Sequence, residues 1–226
     1  MFAYLNQNAD KRIFDALSKD GHKVIPLAPF SALDHPVSSH ADMLLCAVDD
    51  TVFVHKDYPC EIKGFDNVIK VDEEISSKYP YDVLLNICTV GKNAFCNTKF
   101  ASKTVLEHLK SNGYSIHHVS QGYAHCSTMT VSENAIITAD TGIAKEAQKA
   151  SLDVLVISSG YISLLPYEYG FIGGSCALCE DKIYICGSLR YHPEGERILK
   201  FCQERGRKVI ELFDAPLTDI GGILFK

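Results

Sequence analysis

Short apolar runs alternate with polar breaks along the whole chain, and the breaks recur in one layout. In "MLLCAVDDTVFVHK" two β-rich runs flank Asp49-Asp50, and in "VLLNICTVGKNAFCNT" they flank Gly91-Lys92. In "TMTVSENAIITAD" the break is Ser132-Glu133-Asn134, and in "CALCEDKIYICG" it is Glu180-Asp181. Two or three polar residues between β-rich runs predict hairpins. Helical patterning follows three of the four. "KFASKTVLEHLKSNG" sets Val105, Leu106 and Leu109 on one face and ends at Gly113. "TGIAKEAQKAS" and "PEGERILKFCQERG" read the same way, the latter with Pro193 near its start and Gly206 near its end. Third strands follow at "YSIHHV", "DVLVI" and "KVIEL". In the unit that opens at Met43 the middle segment, "DYPCEIKGFD", is too short and broken to predict a helix.

A fifth unit is split between the ends. "MFAYLN" reads as its second strand, "ADKRIFDALSKDG" as its helix with Asn8 as the expected N-cap, and "HKVIPL" as its third strand. The terminal "GILFK" supplies the first strand. The turns near 50, 92, 133 and 181 recur about every 40–50 residues, a period that marks a repeat architecture. Five strand-strand-helix-strand units whose terminal strands pair predict one α/β domain over residues 1–226, a five-fold pseudo-symmetric propeller. Closing the ring removes the exposed edges of an open array.

Composition narrows the partners. The net charge is −6 with no long basic run, so no nucleic-acid or anionic-membrane surface is expected. No apolar stretch approaches the ~18 residues of a membrane span. The nine cysteines are odd in number, and "MFAYLNQNADKR" has no basic segment leading into an apolar one. Reduced thiols in a cytoplasmic protein are therefore expected.

Three short motifs carry candidate chemistry. "GYAHCST" places His125 beside Cys126, "HAD" spaces His40 and Asp42 by one residue, and "DIGG" sets Asp219 before Gly221-Gly222. Each has a structural alternative. Cys126 could be a small buried hydrophobe, His40 and Asp42 could cap a loop or turn, and Asp219 could cap the Gly-Gly bend. Elsewhere, "CALC" has metal-like spacing, but Cys176 and Cys179 fall on opposite faces of a strand. His117 and His118 are separated in the same way, and "GFIGGSC" has neither a Walker lysine nor G-x-G-x-x-G spacing. The aromatic segment "GYISLLPYEYGF" is a candidate lid or rim over the axis.

The five units and the three motifs together resemble the pentein propeller, the fold of arginine deiminase, dimethylarginine dimethylaminohydrolase, amidinotransferases and a ribosome anti-association translation factor. The resemblance implies a nucleophile in a G-G-x-H-C-x-T stretch, matched at Gly122, His125, Cys126 and Thr128. It implies an acid/base His in H-x-D, matched at His40 and Asp42, and an acid beside a Gly-Gly pair, matched at Asp219. Read around the ring, the acid unit leads to the His unit, then to the unit holding Asn86, then to the Cys unit. That is the family's cyclic order, in a chain circularly permuted relative to the familiar hydrolases. Two departures stand out. The acid is Asp rather than Glu and sits two residues before the glycines. Ser175 and Cys176 occupy the place of a substrate-clamping Asp.

The implied activity is cleavage or transfer at a C–N bond of a small amidine or guanidine compound, with no metal or organic cofactor. Cys126 would attack, His40 would shuttle the proton and Asp219 would orient it. Asp42, His125, Asn86, Ser175 and Cys176 would contact the substrate. The alternative is a catalytically inactive pentein that binds a ligand or a protein, since one fold hosts both. No oligomeric state is implied.

Overall fold

A computed structural model describes residues 1–226. It contains fifteen strands in five three-stranded sheets. The first unit is split between the termini: β1 (Phe2–Asn6), α1 (Lys11–Lys19) and β2 (Lys23–Leu27) are completed by β15 (Leu224–Phe225). The second opens with a short helix, α2 (Ala41–Leu44), followed by β3 (Leu45–Val48), β4 (Thr51–His55) and β5 (Asn67–Val71). The third has β6 (Cys88–Val90), β7 (Asn93–Cys96), α3 (Lys103–Ser111) and β8 (Ser115–His118). The fourth has β9 (Thr128–Ser132), β10 (Ala135–Thr138), α4 (Thr141–Lys149) and β11 (Asp153–Val156). The fifth has β12 (Cys176–Cys179), β13 (Lys182–Ile185), α5 (Gly195–Gln203) and β14 (Lys208–Glu211).

Every sheet is built alike. The first strand runs antiparallel to the second, and the second runs parallel to the third. In four units a helix makes the crossover that a parallel pair needs. The second unit crosses without one, as its broken middle segment predicts. The central strands are almost wholly buried, whereas the third strands alternate with solvent. Inner strands β6, β9, β12 and β15 touch in sequence, and with β3 they surround an axial cavity of about 260 Å³. Pairing of Ala3 with Phe225 and Tyr4 with Leu224 completes the sheet of the first unit and closes the ring. The expected five-fold α/β propeller is therefore the observed fold.

The predicted turns hold. Asp49, Gly91 and Glu180 take positive φ at 51°, 54° and 55° and reverse three of the hairpins. Two local expectations change. α1 is capped by Asp10, whose carboxylate accepts from Arg12 N at 2.9 Å, and not by Asn8. Asn8 lies inside a turn in which its own N–H donates to Asn6 Oδ1, so the helix begins two residues later. "VLLN" is likewise loop rather than strand, because β6 starts only at Cys88 and the preceding segment is held by the Asn86 side chain. All nine cysteines are free thiols, and no helix is long and apolar enough to cross a membrane.

Candidate active site

The loops that precede the five inner strands meet at one end of the axial cavity. His40 sits at the N-cap position of α2 with extended backbone, and its ring makes no capping bond. The ring is free to face the centre, and only 2% of the residue is exposed. Asp219 is fixed by two backbone donors: Gly221 N to Oδ1 and Phe171 N to Oδ2, both 2.9 Å. It therefore caps the Gly-Gly bend and also turns toward His40, whose Nδ1 lies 3.8 Å from Asp219 Oδ1 and 4.0 Å from Asp42 Oδ1. Glycine makes this closeness possible. A Cβ on Gly170 or Gly174 would collide with the Asp219 carboxylate, and one on Gly221 (φ +79°) would collide with His40.

Cys126 ends the loop before β9 and is 4% exposed. Asn86 controls it. The Asn86 amide donates to Cys126 Sγ at 2.9 Å and to the Asp42 carbonyl at 3.1 Å. Its Oδ1 accepts from His125 N at 2.7 Å and from Cys126 N at 3.3 Å. One side chain thus joins the His, intervening and Cys units. From the opposite side, Gly174 N donates to the Cys126 carbonyl at 3.1 Å.

The electrostatics are those of crowded acids without a counter-charge. Burial and the neighbouring Asp219 push the Asp42 carboxyl up to about 8, and neither Asp42 oxygen has a hydrogen-bond partner. Burial raises Asp219 to about 6 against the pull of its two N–H donors. Burial also lowers His40 to about 4, so its imidazole is neutral near pH 7. Cys126 is held well above the ordinary thiol value by burial first, then by the charges of Asp42 and Asp219.

Cys126, His40 and Asp219 share a pocket of about 200 Å³ whose other walls include Met43, Tyr123, Leu164, Tyr167 and Phe171. The Tyr123 hydroxyl donates to Asp82 at 2.6 Å, and Tyr167 donates across the mouth to Asp34 at 2.8 Å. The aromatic segment expected as a lid or rim forms this wall. A larger depression of about 800 Å³, open and lined by His55, Asp57 and Glu73, holds none of these residues.

The remaining expected contacts lie elsewhere. Asp42, His125 and Cys176 line the axial cavity behind Cys126. The His125 Nδ1 approaches the Ile87 carbonyl at 3.3 Å. Ser175 is fully buried and donates to the Ile172 carbonyl at 2.9 Å, so it reaches neither space. His125, Cys176 and Asp42 line the axial cavity and not the pocket of Cys126, and Ser175 lines neither. Asn86 faces Cys126 rather than the pocket. No group of three or more His, Cys, Asp or Glu side chains is arranged to hold a metal ion.

Residues 4–224 match the sequence model of a family of unknown function, DUF6873. The chain belongs to that family. No curated protein matches this DUF6873 chain by sequence. Solved structures do match its fold. The DDAH of Pseudomonas aeruginosa, in complex with citrulline, superposes with a TM-score of 0.57 at 11% identity, covering 93% of this chain and 91% of that one. The Campylobacter (C. jejuni) agmatine deiminase gives 0.55 at 11% identity, covering 95% and 87%. SxtG, an amidinotransferase from Microseira wollei, gives 0.53 at 12% identity, covering 93% and 74%. All three have the pentein fold, and so does the DUF6873 chain.

Sequence reading of this chain missed Tyr123, Asp82 and the glycines Gly170 and Gly174 as parts of the site. Tyr123 was visible as the residue of "GYAHCST" that stands in place of the second glycine of the pattern. Asp82 could have been found by ring equivalence, since it precedes β6 as His40 and Asp42 precede β3. No local signal marks the glycines, which matter only once Asp219 arrives from another unit.

Proposed function

We propose that this chain is a cysteine-dependent enzyme that cleaves or transfers at a C–N bond of a small amidine or guanidine cation. The observation that carries the reading is the gathering of Cys126, His40 and Asp219, three residues from three units, around one small pocket with no lysine or arginine in its lining, and with Asp42 behind it, 4.0 Å from the His40 ring. A buried carboxylate with both oxygens unpaired is expensive unless a cation or a proton covers it. A planar amidinium in the pocket offers N–H donors to Asp219, which lines it, and brings positive charge near Asp42 behind the His40 ring. Its positive charge also offsets the two carboxylates that keep the Cys126 thiol protonated.

In this reading the Cys126 proton passes to His40, and Sγ bonds to the central carbon of the substrate. As the C–N bond breaks, His40 returns the proton to the departing nitrogen. His40 then takes a proton from water, whose oxygen attacks the same carbon; the C–S bond breaks and His40 returns that proton to Cys126 Sγ. An acceptor amine in place of water makes the same sequence an amidino transfer. Asp219 holds the imidazole orientation and balances its transient charge. No step calls for a metal or organic cofactor. The order of acid, His and Cys units around the ring supports a circularly permuted relation to the pentein hydrolases.

A haloacetamidine probe tests the site. Peptide mapping is expected to find Cys126 labelled faster than the other eight thiols, with the selectivity abolished by Cys126→Ser. Uniform labelling, or none at Cys126, would replace the enzyme reading with that of an inactive, ligand-binding pentein.

A further inference from the structure

The wall of the pocket says more about the ligand than its floor does. Above Cys126, His40 and Asp219 the lining is apolar and aromatic, and its only other ionisable groups are tyrosines and the exposed Glu168 at the mouth. The rings form a connected series. Tyr79 lies 5.4 Å from Tyr123, Tyr123 lies 6.0 Å from Phe171, and Phe171 lies 6.3 Å from Tyr169. Two further carboxylates stand behind the wall, Asp82 bonded to Tyr123 and Asp34 bonded to Tyr167.

No arginine is available to change this picture. Arg12 pairs with Asp10, Arg190 with Asp214, Arg197 with Glu194 and Arg205 with Asp153. Arg207 donates to the carbonyls of Val131 and Glu180. Those are all the arginines of the chain, and none lines the pocket. No lysine lines it either. An amino-acid substrate would have to bring a carboxylate in among aromatic rings beside Glu168, with no cation to meet it.

We infer that the pocket takes a small amidine or guanidine cation with an apolar or aromatic tail and no carboxylate, and that its aromatic wall and Glu168 reject amino-acid substrates such as arginine. This inference rests on the amidine reading of the site and adds the identity of the tail. The size agrees, since about 200 Å³ is below the roughly 300–1,000 Å³ of pockets for drug-sized ligands. Aromatic faces contribute twice, by covering the tail and by attracting the cation.

The test is competition against haloacetamidine labelling of Cys126 in the full chain, with phenylguanidine, benzamidine, methylguanidine and L-arginine as protectants. Calorimetric binding of the same four compounds to Cys126→Ser is measured in parallel, so that the readout does not depend on thiol reactivity. Phenylguanidine and benzamidine are expected to protect and bind at concentrations at least about ten-fold below those of L-arginine. Glu168→Lys, a change at an exposed position, is expected to narrow that gap by strengthening arginine. Equal or tighter binding of L-arginine to the parent overturns this inference and leaves the amidine site standing. Binding of none of the four overturns the amidine site and this inference with it.

Discussion

The Asn86 side chain sets the surroundings of Cys126 through bonds that use both its donors and its acceptor. Its amide donates to the Cys126 thiol and the Asp42 carbonyl, and its oxygen accepts two consecutive backbone N–H groups. Asn86→Ala leaves the His125 and Cys126 N–H groups without an acceptor. A buried donor left unpaired costs about 1–3 kcal/mol. The denaturant midpoint is therefore expected to fall by that amount of free energy, and selective labelling of Cys126 to fall with it. Asn86→Asp keeps the acceptor but loses both donors and adds a third carboxylate, so it is expected to restore part of the stability at low pH only. Sequence alone could flag Cys126, His40 and Asp219, because each lies in a compact motif. It could not assign the role of Asn86, whose partners lie about 40 residues away on either side.

At the scale of elements, hydrophobic period and turn chemistry made most of the fold legible. The hairpin turns and helices α3, α4 and α5 stand where Gly, polar pairs and amphipathic spacing put them. The misses share a cause. β5 has no helix before it to announce it, the loop ahead of β6 looks like a strand because it is apolar and buried, and the α1 cap depends on a turn. Hydrogen bonds that no local hydrophobic pattern shows decided all three: β5 pairs with β4, the Asn86 side chain holds the loop, and Asn6 holds the turn before α1. The Gly221-Gly222 bend belongs to this scale too. Gly221→Ala combines a left-handed backbone position with a collision against His40. The left-handed conformation alone costs an L-residue about 1–2 kcal/mol. The variant is expected to lose more than that in chemical denaturation, and its Cys126 to lose selective reactivity. Asp140→Ala removes the cap of α4, where Asp140 accepts from Ile143 N at 2.8 Å, together with a bond from the Gln121 side chain at 3.2 Å, and leaves the bonds of Asn86 and Asp219 in place. It should cost about 1 kcal/mol while sparing Cys126 labelling, which separates general destabilisation from damage to the site.

For the whole molecule, the buried acids make stability depend on pH. Asp42 and Asp219 are raised to about 8 and about 6, so the folded ring keeps protons that the unfolded chain releases near its ordinary carboxylate value. Their contribution is complete below about pH 4 and is lost as pH rises through about 6 for Asp219 and about 8 for Asp42. His40, lowered to about 4, has the opposite sign: its contribution is present above 6.5 and is lost as pH falls through about 4. Between about pH 6.5 and 8 Asp42 is the one group of the three still titrating. Folding free energy is expected to decline across that window, and Asp42→Asn to flatten the decline. A decline of equal slope in Asp42→Asn would assign it to other groups.

The pairing of β1 with β15 also imposes an order in time. A ribosome delivers the imidazole of His40 and the thiol of Cys126 well before the carboxylate of Asp219, which is carried on the segment leading into β15. Contacts between such distant parts of a chain form slowly, because a long loop must close first. During synthesis the thiol therefore waits in an unfinished ring, beside an imidazole that has Asp42 near it but not Asp219. Closure of the sheet formed by β1 and β15 brings Asp219 to His40 and Cys126, so the chemistry proposed for this site would stay off until that pairing forms.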